Sequence, residues 1–110
     1  MADDDVLKVI RRYLHTLQAR GVDARLAILF GSFARGTATF WSDIDLVVIS
    51  PQYDRGITRA DVDLLWRIAA KVDSRIEPVA SGERQWVEDQ SSALLEIARR
   101  EGRAVQPEAA

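Results

Sequence analysis

The stretch 29–49, LFGSFARGTATFWSDIDLVVI, constrains the fold more than any other part of the chain. It joins two short apolar runs, RLAILF (25–30) and DIDLVVI (43–49). Both are short and bounded by turn residues, and the second is rich in β-branched side chains, so both read as buried strands. The second run opens with Asp43 and Asp45, and carboxylates are costly to desolvate unless something pairs with them. On a strand, residues two apart point to the same side, with Cα atoms about 6.5–7 Å apart. Asp43 and Asp45 therefore share a face, and Ile44 turns to the core. Two carboxylates on one face can converge on a divalent cation, and Mg²⁺ takes oxygen ligands. Standing alone, an Asp-x-Asp at the head of a strand is more often two solvated aspartates at a loop–strand junction, so the flanking residues decide.

Around these strands the spacing predicts an alternation of elements. Val6, Ile10, Tyr13 and Leu17 recur at helical intervals, which predicts an amphipathic helix over 4–20 that Gly21 stops. Residues 32–38 form a loop or a short helical turn. Thr58 and Asp61 have the spacing of a capping box and open a helix to about Val72, with Val62, Leu65, Trp66 and Ala69 on its inner face. RIEPVA (75–80) is a third strand, and Pro78 places it at an edge or at the strand's end. A last helix over 91–101 stops near Gly102. The expected fold class is α/β (α+β): a small mixed β-sheet with helices packed on one face. One domain spans 1–110, with its core over about 5–102 and a flexible tail from 103 to 110.

Composition limits the function classes. A chain of 110 residues suits one domain and leaves little for a second substrate-binding one. Net charge is −2, so no global basic field attracts nucleic acid. There is no cysteine, which removes disulfides, thiolate metal sites and a cysteine nucleophile. No run is apolar enough for a membrane span, and the acidic start MADDDVLK has the wrong sign for a secretory signal, so a cytoplasmic location is expected.

Gly31 and Ser32 follow the first strand directly. Glycine lets backbone approach a ligand closely. A helical turn opening at Ser32 would present backbone N–H groups to an anion, with the hydroxyl adding a further bond. The forked donors of Arg35 suit the same phosphates. The plainer reading of Gly31-Ser32 is an ordinary turn with a helix cap. GSFARGT also has the Gly-x4-Gly of a P-loop, but Thr37 stands where that motif requires lysine, so the Walker reading fails.

Taken together, GSFARGTATFWSDIDLVVI resembles the signature of the DNA polymerase β-like nucleotidyltransferase superfamily, and within it the minimal nucleotidyltransferases, the MNT group. The match is full over about 29–50, and the order of elements extends it over most of 5–100. The resemblance implies the polymerase β-like fold. It also implies that Gly31 and Ser32 hold the distal phosphates of ATP, and that Asp43 and Asp45 bind Mg²⁺. A hydroxyl of the acceptor then attacks the α-phosphate and pyrophosphate leaves. The family usually adds a third carboxylate, most often Asp, from a neighbouring strand. The candidate here is Glu77, longer by a methylene and followed by Pro78; the alternative is a solvated strand residue. Because MNT proteins are paired with HEPN-domain proteins in toxin–antitoxin modules, the resemblance implies an antitoxin that transfers AMP to a tyrosine of its toxin partner. Two other readings stand beside it: a decayed transferase that neutralises its partner by contact alone, and a small-molecule (antibiotic) nucleotidyltransferase.

The remaining distinctive residues have quieter expectations. Trp41 either stacks on a base or ribose or, the expected case, anchors the loop onto the fold. Ser42 is a turn residue that orients Asp43. Trp66 is expected in the core, and Trp86 at an exposed contact surface. Arg99, Arg100 and Arg103 read as a solvated basic face. His15, the sole histidine, has no companion ligand and carries no expected role.

Overall fold

The computed structural model describes residues 3–107, Asp3 by its backbone only. In chain order the elements are α1 (Asp3–Ala19), β1 (Leu26–Phe30), α2 (Ser32–Arg35), β2 (Ile44–Ile49), a 3-10 turn (Pro51–Arg55), α3 (Arg59–Val72), β3 (Ile76–Ser81), α4 (Glu83–Glu88), α5 (Ala93–Glu101) and β4 (Arg103–Val105). The strands form one mixed sheet in the order β3-β2-β1-β4. β1 runs antiparallel to β2 and β4, and β2 runs parallel to β3. Parallel neighbours need a crossover, which α3 supplies. Pro78 lies on the edge strand β3, where a missing N–H costs least.

The helices follow local rules. Val6, Ile10, Tyr13, Leu14 and Leu17 bury the inner stripe of α1. The Tyr13 hydroxyl donates to the Leu65 carbonyl at 2.8 Å and ties α1 to α3. α3 starts in a reciprocal cap: Thr58 Oγ1 accepts from the Asp61 N–H at 3.1 Å, and the Asp61 carboxylate accepts from the Thr58 N–H at 2.9 Å. Its buried stripe is Leu65, Ile68 and Ala69. Trp66 and Val62 belong to the outer side and are 45% and 38% exposed, so Trp66 is not a core residue. The true stripe continues from Leu65 through Ile68 to the partly buried Val72, one position round from the expected one.

The layering also differs from a one-face arrangement. α1 and α3 pack on the sheet face formed by Ala27, Leu29, Ile44, Leu46, Val48 and Ile76. Ile28, Val47 and Ile49 form the other face, and α5 covers it with Leu95 and Ala98. β1 and β2 are apolar on both sides, so both sides need a helix. The segment after Gly102 is likewise part of the sheet: Arg103–Val105 pairs with Leu29–Ala27, and Val105 is buried in the main core. Three residues carry no readable alternation, which hid β4 in the sequence. Residues 108–110 of the expected tail lie outside the described residues.

Gly102 makes the junction between α5 and β4 possible. Its N–H donates to the Ala98 carbonyl at 2.8 Å. A Cβ added there would lie 2.2 Å from the Ala98 oxygen and 2.4 Å from Ile28 Cγ2. The backbone is otherwise in an ordinary extended conformation, so the constraint is steric. Gly102→Ala should destabilise the protein by about 1–3 kcal/mol, the usual cost of overpacking. Urea denaturation checks it: the midpoint should fall with the slope unchanged.

Candidate active site

At the end of β1 the chain turns at Gly31 into the single turn of α2. Gly31 has φ 78°, a region that side-chain-bearing residues rarely adopt. It is buried, and a Cβ there would lie 2.2 Å from Asp45 Oδ2. The absent side chain lets the turn's backbone lie against that carboxylate. The Gly31 carbonyl accepts the Arg35 N–H at 3.1 Å, and the Ser32 carbonyl accepts the Thr37 N–H at 3.0 Å. These bonds fold residues 31–37 back on themselves and place Arg35 within electrostatic reach of Asp45.

Strand register gathers the carboxylates. Phe30 stands opposite Asp45, and Asp45 stands opposite Glu77. The Ile44 N–H donates to the Arg75 carbonyl at 2.8 Å and fixes the start of β2 against β3. Asp45 and Glu77 thus share the face that α5 covers farther along at Ile28 and Val47, and Asp43, two positions before Asp45, projects to the same side. Burial raises the pKa of Asp45, the Asp43 charge raises it further, and Arg35 lowers it. Burial also raises the pKa of Glu77, with added push from Asp43 and Asp45 and from a hydrogen bond shared with Asp43.

Among the described residues, no three His, Cys, Asp or Glu side chains stand ready-made as a metal cage. What the register supplies is an all-oxygen, mutually repelling set, with Gly31 leaving space beside Asp45. Such a set suits a hard cation, and a cation would reverse the local pKa logic.

Other placements differ from expectation. Trp41 does not anchor its loop: it is 83% exposed, beside Phe40 at 74%. Trp86 is half-buried against the second core cluster, with the Arg99 guanidinium 5.2 Å above its ring. Arg99 leaves the solvated face expected for it. It donates to the carbonyls of Trp86 (2.7 Å), Gln85 and Asp89 at the end of α4, where Gln85 also accepts the Asp89 N–H. α4 itself escaped the sequence reading because its N-terminal support is distant: Asp54 accepts the Arg84 N–H at 3.0 Å. Arg35 also has a partner that no spacing revealed, Glu101 at the end of α5, at 3.5 Å.

The carboxylate crowding has a testable sign. Asp45 and Glu77 have pKa values raised by folding, so they favour the fold at low pH, and that contribution is lost as pH rises through the raised values. At pH 7 Glu77→Gln should therefore raise the thermal midpoint by a few degrees, the scale of a fraction of a kcal/mol in a domain of this size. The gain should vanish below the ordinary carboxylate range. Thermal melts of both proteins from pH 3 to 8 check it; a gain independent of pH would contradict the crowding.

Comparison with known proteins addresses the same region. The nucleotidyltransferase domain family matches residues 7–103. No protein with a curated description matches the chain by sequence. Among solved structures, a toxin–antitoxin complex with AMP-PNP superposes with a TM-score of 0.63 at 21% identity, over 93% of this chain and 73% of that one. A variant of the toxin–antitoxin MntA–HpeT with two aspartate-to-glutamate substitutions gives 0.57 at 18% identity, over 98% and 75%. A protein from Sulfolobus solfataricus, provisionally assigned as a nucleotidyltransferase, gives 0.54 at 19% identity, over 72% and 68%. These likenesses show a shared fold, and the family match spans the glycine turn, both aspartates and Glu77: the chain belongs to the nucleotidyltransferase domain family and is a nucleotide-transferring enzyme.

Proposed function

We propose that this enzyme transfers a nucleoside monophosphate, AMP from ATP, to a hydroxyl of a partner protein, and that it acts as the antitoxin of a two-component module. The observation that carries the transfer chemistry is the register that sets Glu77 opposite Asp45, with Asp43 two positions before Asp45. The likeness to toxin–antitoxin structures, one with AMP-PNP, supports the partner and the nucleotide. A HEPN-type toxin with an acceptor tyrosine remains the reading the motif favours, in a cytoplasmic setting. Among the described residues no helix is long and apolar enough to cross a membrane.

In this reading Gly31 and Ser32 face the distal phosphates, and Gly31 keeps the space beside Asp45 free of a side chain. Arg35 adds positive charge next to the same phosphates. Asp43, Asp45 and Glu77 would hold Mg²⁺, which supplies charge neutralisation for the attacking and leaving oxygens. The acceptor oxygen forms a bond to the α-phosphorus as the bond to the β-phosphate oxygen breaks, and pyrophosphate carries the electron pair away. In place of holding the metal, Glu77 would take the acceptor's proton from its position opposite Asp45.

The test is calorimetric titration of Mg·ATP into the wild type and an Asp43→Asn/Asp45→Asn variant. Binding should be lost in the variant and in metal-free buffer. With the protein encoded beside it as acceptor, label transfer from α-labelled ATP should fall more than about a hundredfold in the variant, since several kcal/mol of charge stabilisation is removed. Neutralisation of the partner that survives the double substitution would instead assign this chain to inhibition by contact.

A further inference from the structure

Phe40 and Trp41 are the most exposed large aromatics of the chain, and the fold holds them there. Thr39 and Ser42 close a turn on both sides of the pair: the Ser42 N–H donates to the Thr39 carbonyl at 3.1 Å, and Ser42 Oγ accepts the Thr39 N–H at 2.8 Å. The two rings occupy the tip, edge to face, with centroids 4.8 Å apart. At 83% exposure Trp41 has an indole face open to solvent. The residue after Ser42 is Asp43, so the clamp that displays the rings also ends at the first site carboxylate. Two residues of extended chain span less than about 7 Å, which leaves the indole within reach of anything seated in front of Asp43 and Asp45.

From this clamped display we propose that the Thr39–Ser42 turn is the base-recognition element of the site, with Trp41 stacking on the nucleobase and Phe40 bracing it. The proposal rests on the nucleotide reading above and names the part of the substrate that the phosphate and metal residues leave uncontacted. The surroundings favour a planar ligand over a protein. Gly36, Thr37, Ala38, Thr39 and Ser42 flank the pair with small or polar side chains, whereas a protein hot spot sits within a wider apolar patch. Among the described residues, the other large exposed apolar ones, Ile57, Val62, Trp66, Val87, Leu94 and Ile97, lie on α3 and its lead-in, α4 and α5. Stacking reads the π-face and not the hydrogen-bonding edge, so it gives affinity with a graded preference for larger bases.

The experiment compares Mg·ATP, Mg·CTP and Mg·tripolyphosphate in calorimetric titrations of the wild type, Trp41→Ala and Trp41→Phe. Trp41→Ala should weaken ATP roughly tenfold, the scale of one base–aromatic stack. It should weaken CTP less and leave tripolyphosphate unchanged, and Trp41→Phe should retain most of the ATP affinity. Circular dichroism of the variants confirms that an exposed loop position leaves the fold intact. Equal ATP affinity in wild type and Trp41→Ala would overturn the proposal and leave the aromatic pair to a macromolecular partner. Equal weakening of ATP and tripolyphosphate would also overturn it, by showing that Trp41 shapes the phosphate site. Failure of the wild type to bind either ligand would instead refute the nucleotide site, and base recognition with it.

Discussion

Neither face of the β1–β2 hairpin can be left in water. Ala27, Leu29, Leu46 and Val48 line one side and Ile28, Val47 and Ile49 the other. Burying one such side chain is worth about 1.5–3 kcal/mol, so two helical layers are required where the alternation of a one-sided sheet would require one. α1 and α3 meet the first demand and α5 the second. The end of the hairpin, where Gly31 and Asp45 replace apolar residues, is where the second layer stops. The site is thus a consequence of where covering the sheet ceases to be worthwhile.

What stands at that end works against stability. Burial and mutual repulsion raise the proton affinity of Asp45 and Glu77, and Arg35 offsets only part of this for Asp45. The Arg35–Glu101 contact spans half-exposed groups, so it contributes little to the fold itself. A set of like charges held together by strand register is a fold-level expense of the kind that functional sites carry. Positive charge brought to the cluster would offset that repulsion.

The legible parts of this protein were those encoded locally. The α1 stripe, the Thr58–Asp61 cap, the two central strands and the edge position implied by Pro78 each rest on residues within a few positions of one another. Glu77 was a candidate because the family resemblance calls for a third carboxylate on a neighbouring strand; that this strand lies parallel to β2 with Glu77 opposite Asp45 came from the structure. What stayed hidden depends on distant partners. α4 is capped by Asp54 from thirty positions away. Arg99 is occupied by the carbonyls of another helix, and β4 exists only because β1 offers it an edge. Trp66 failed as a core residue because two stripes one position apart share Leu65 and Ala69, and only the packing of Ile68 decides between them. The turn at 39–42 was invisible as a display device because its clamp depends on backbone geometry.

The assembly of the site also has an order in time. Gly31 and Asp45 are fourteen positions apart and belong to one antiparallel hairpin, whereas Glu77 follows Asp45 by thirty-two and reaches it through a helical crossover. Closing the longer loop costs only about 0.7 kcal/mol more, but it must await α3, and parallel pairing across a crossover is a late, non-local event in folding. β3 is moreover an outer strand. Its transient release would carry Glu77 away while the contact between Gly31 and Asp45 persisted. The three carboxylates are therefore divided between two folding units, and the outer strand brings the one that arrives last.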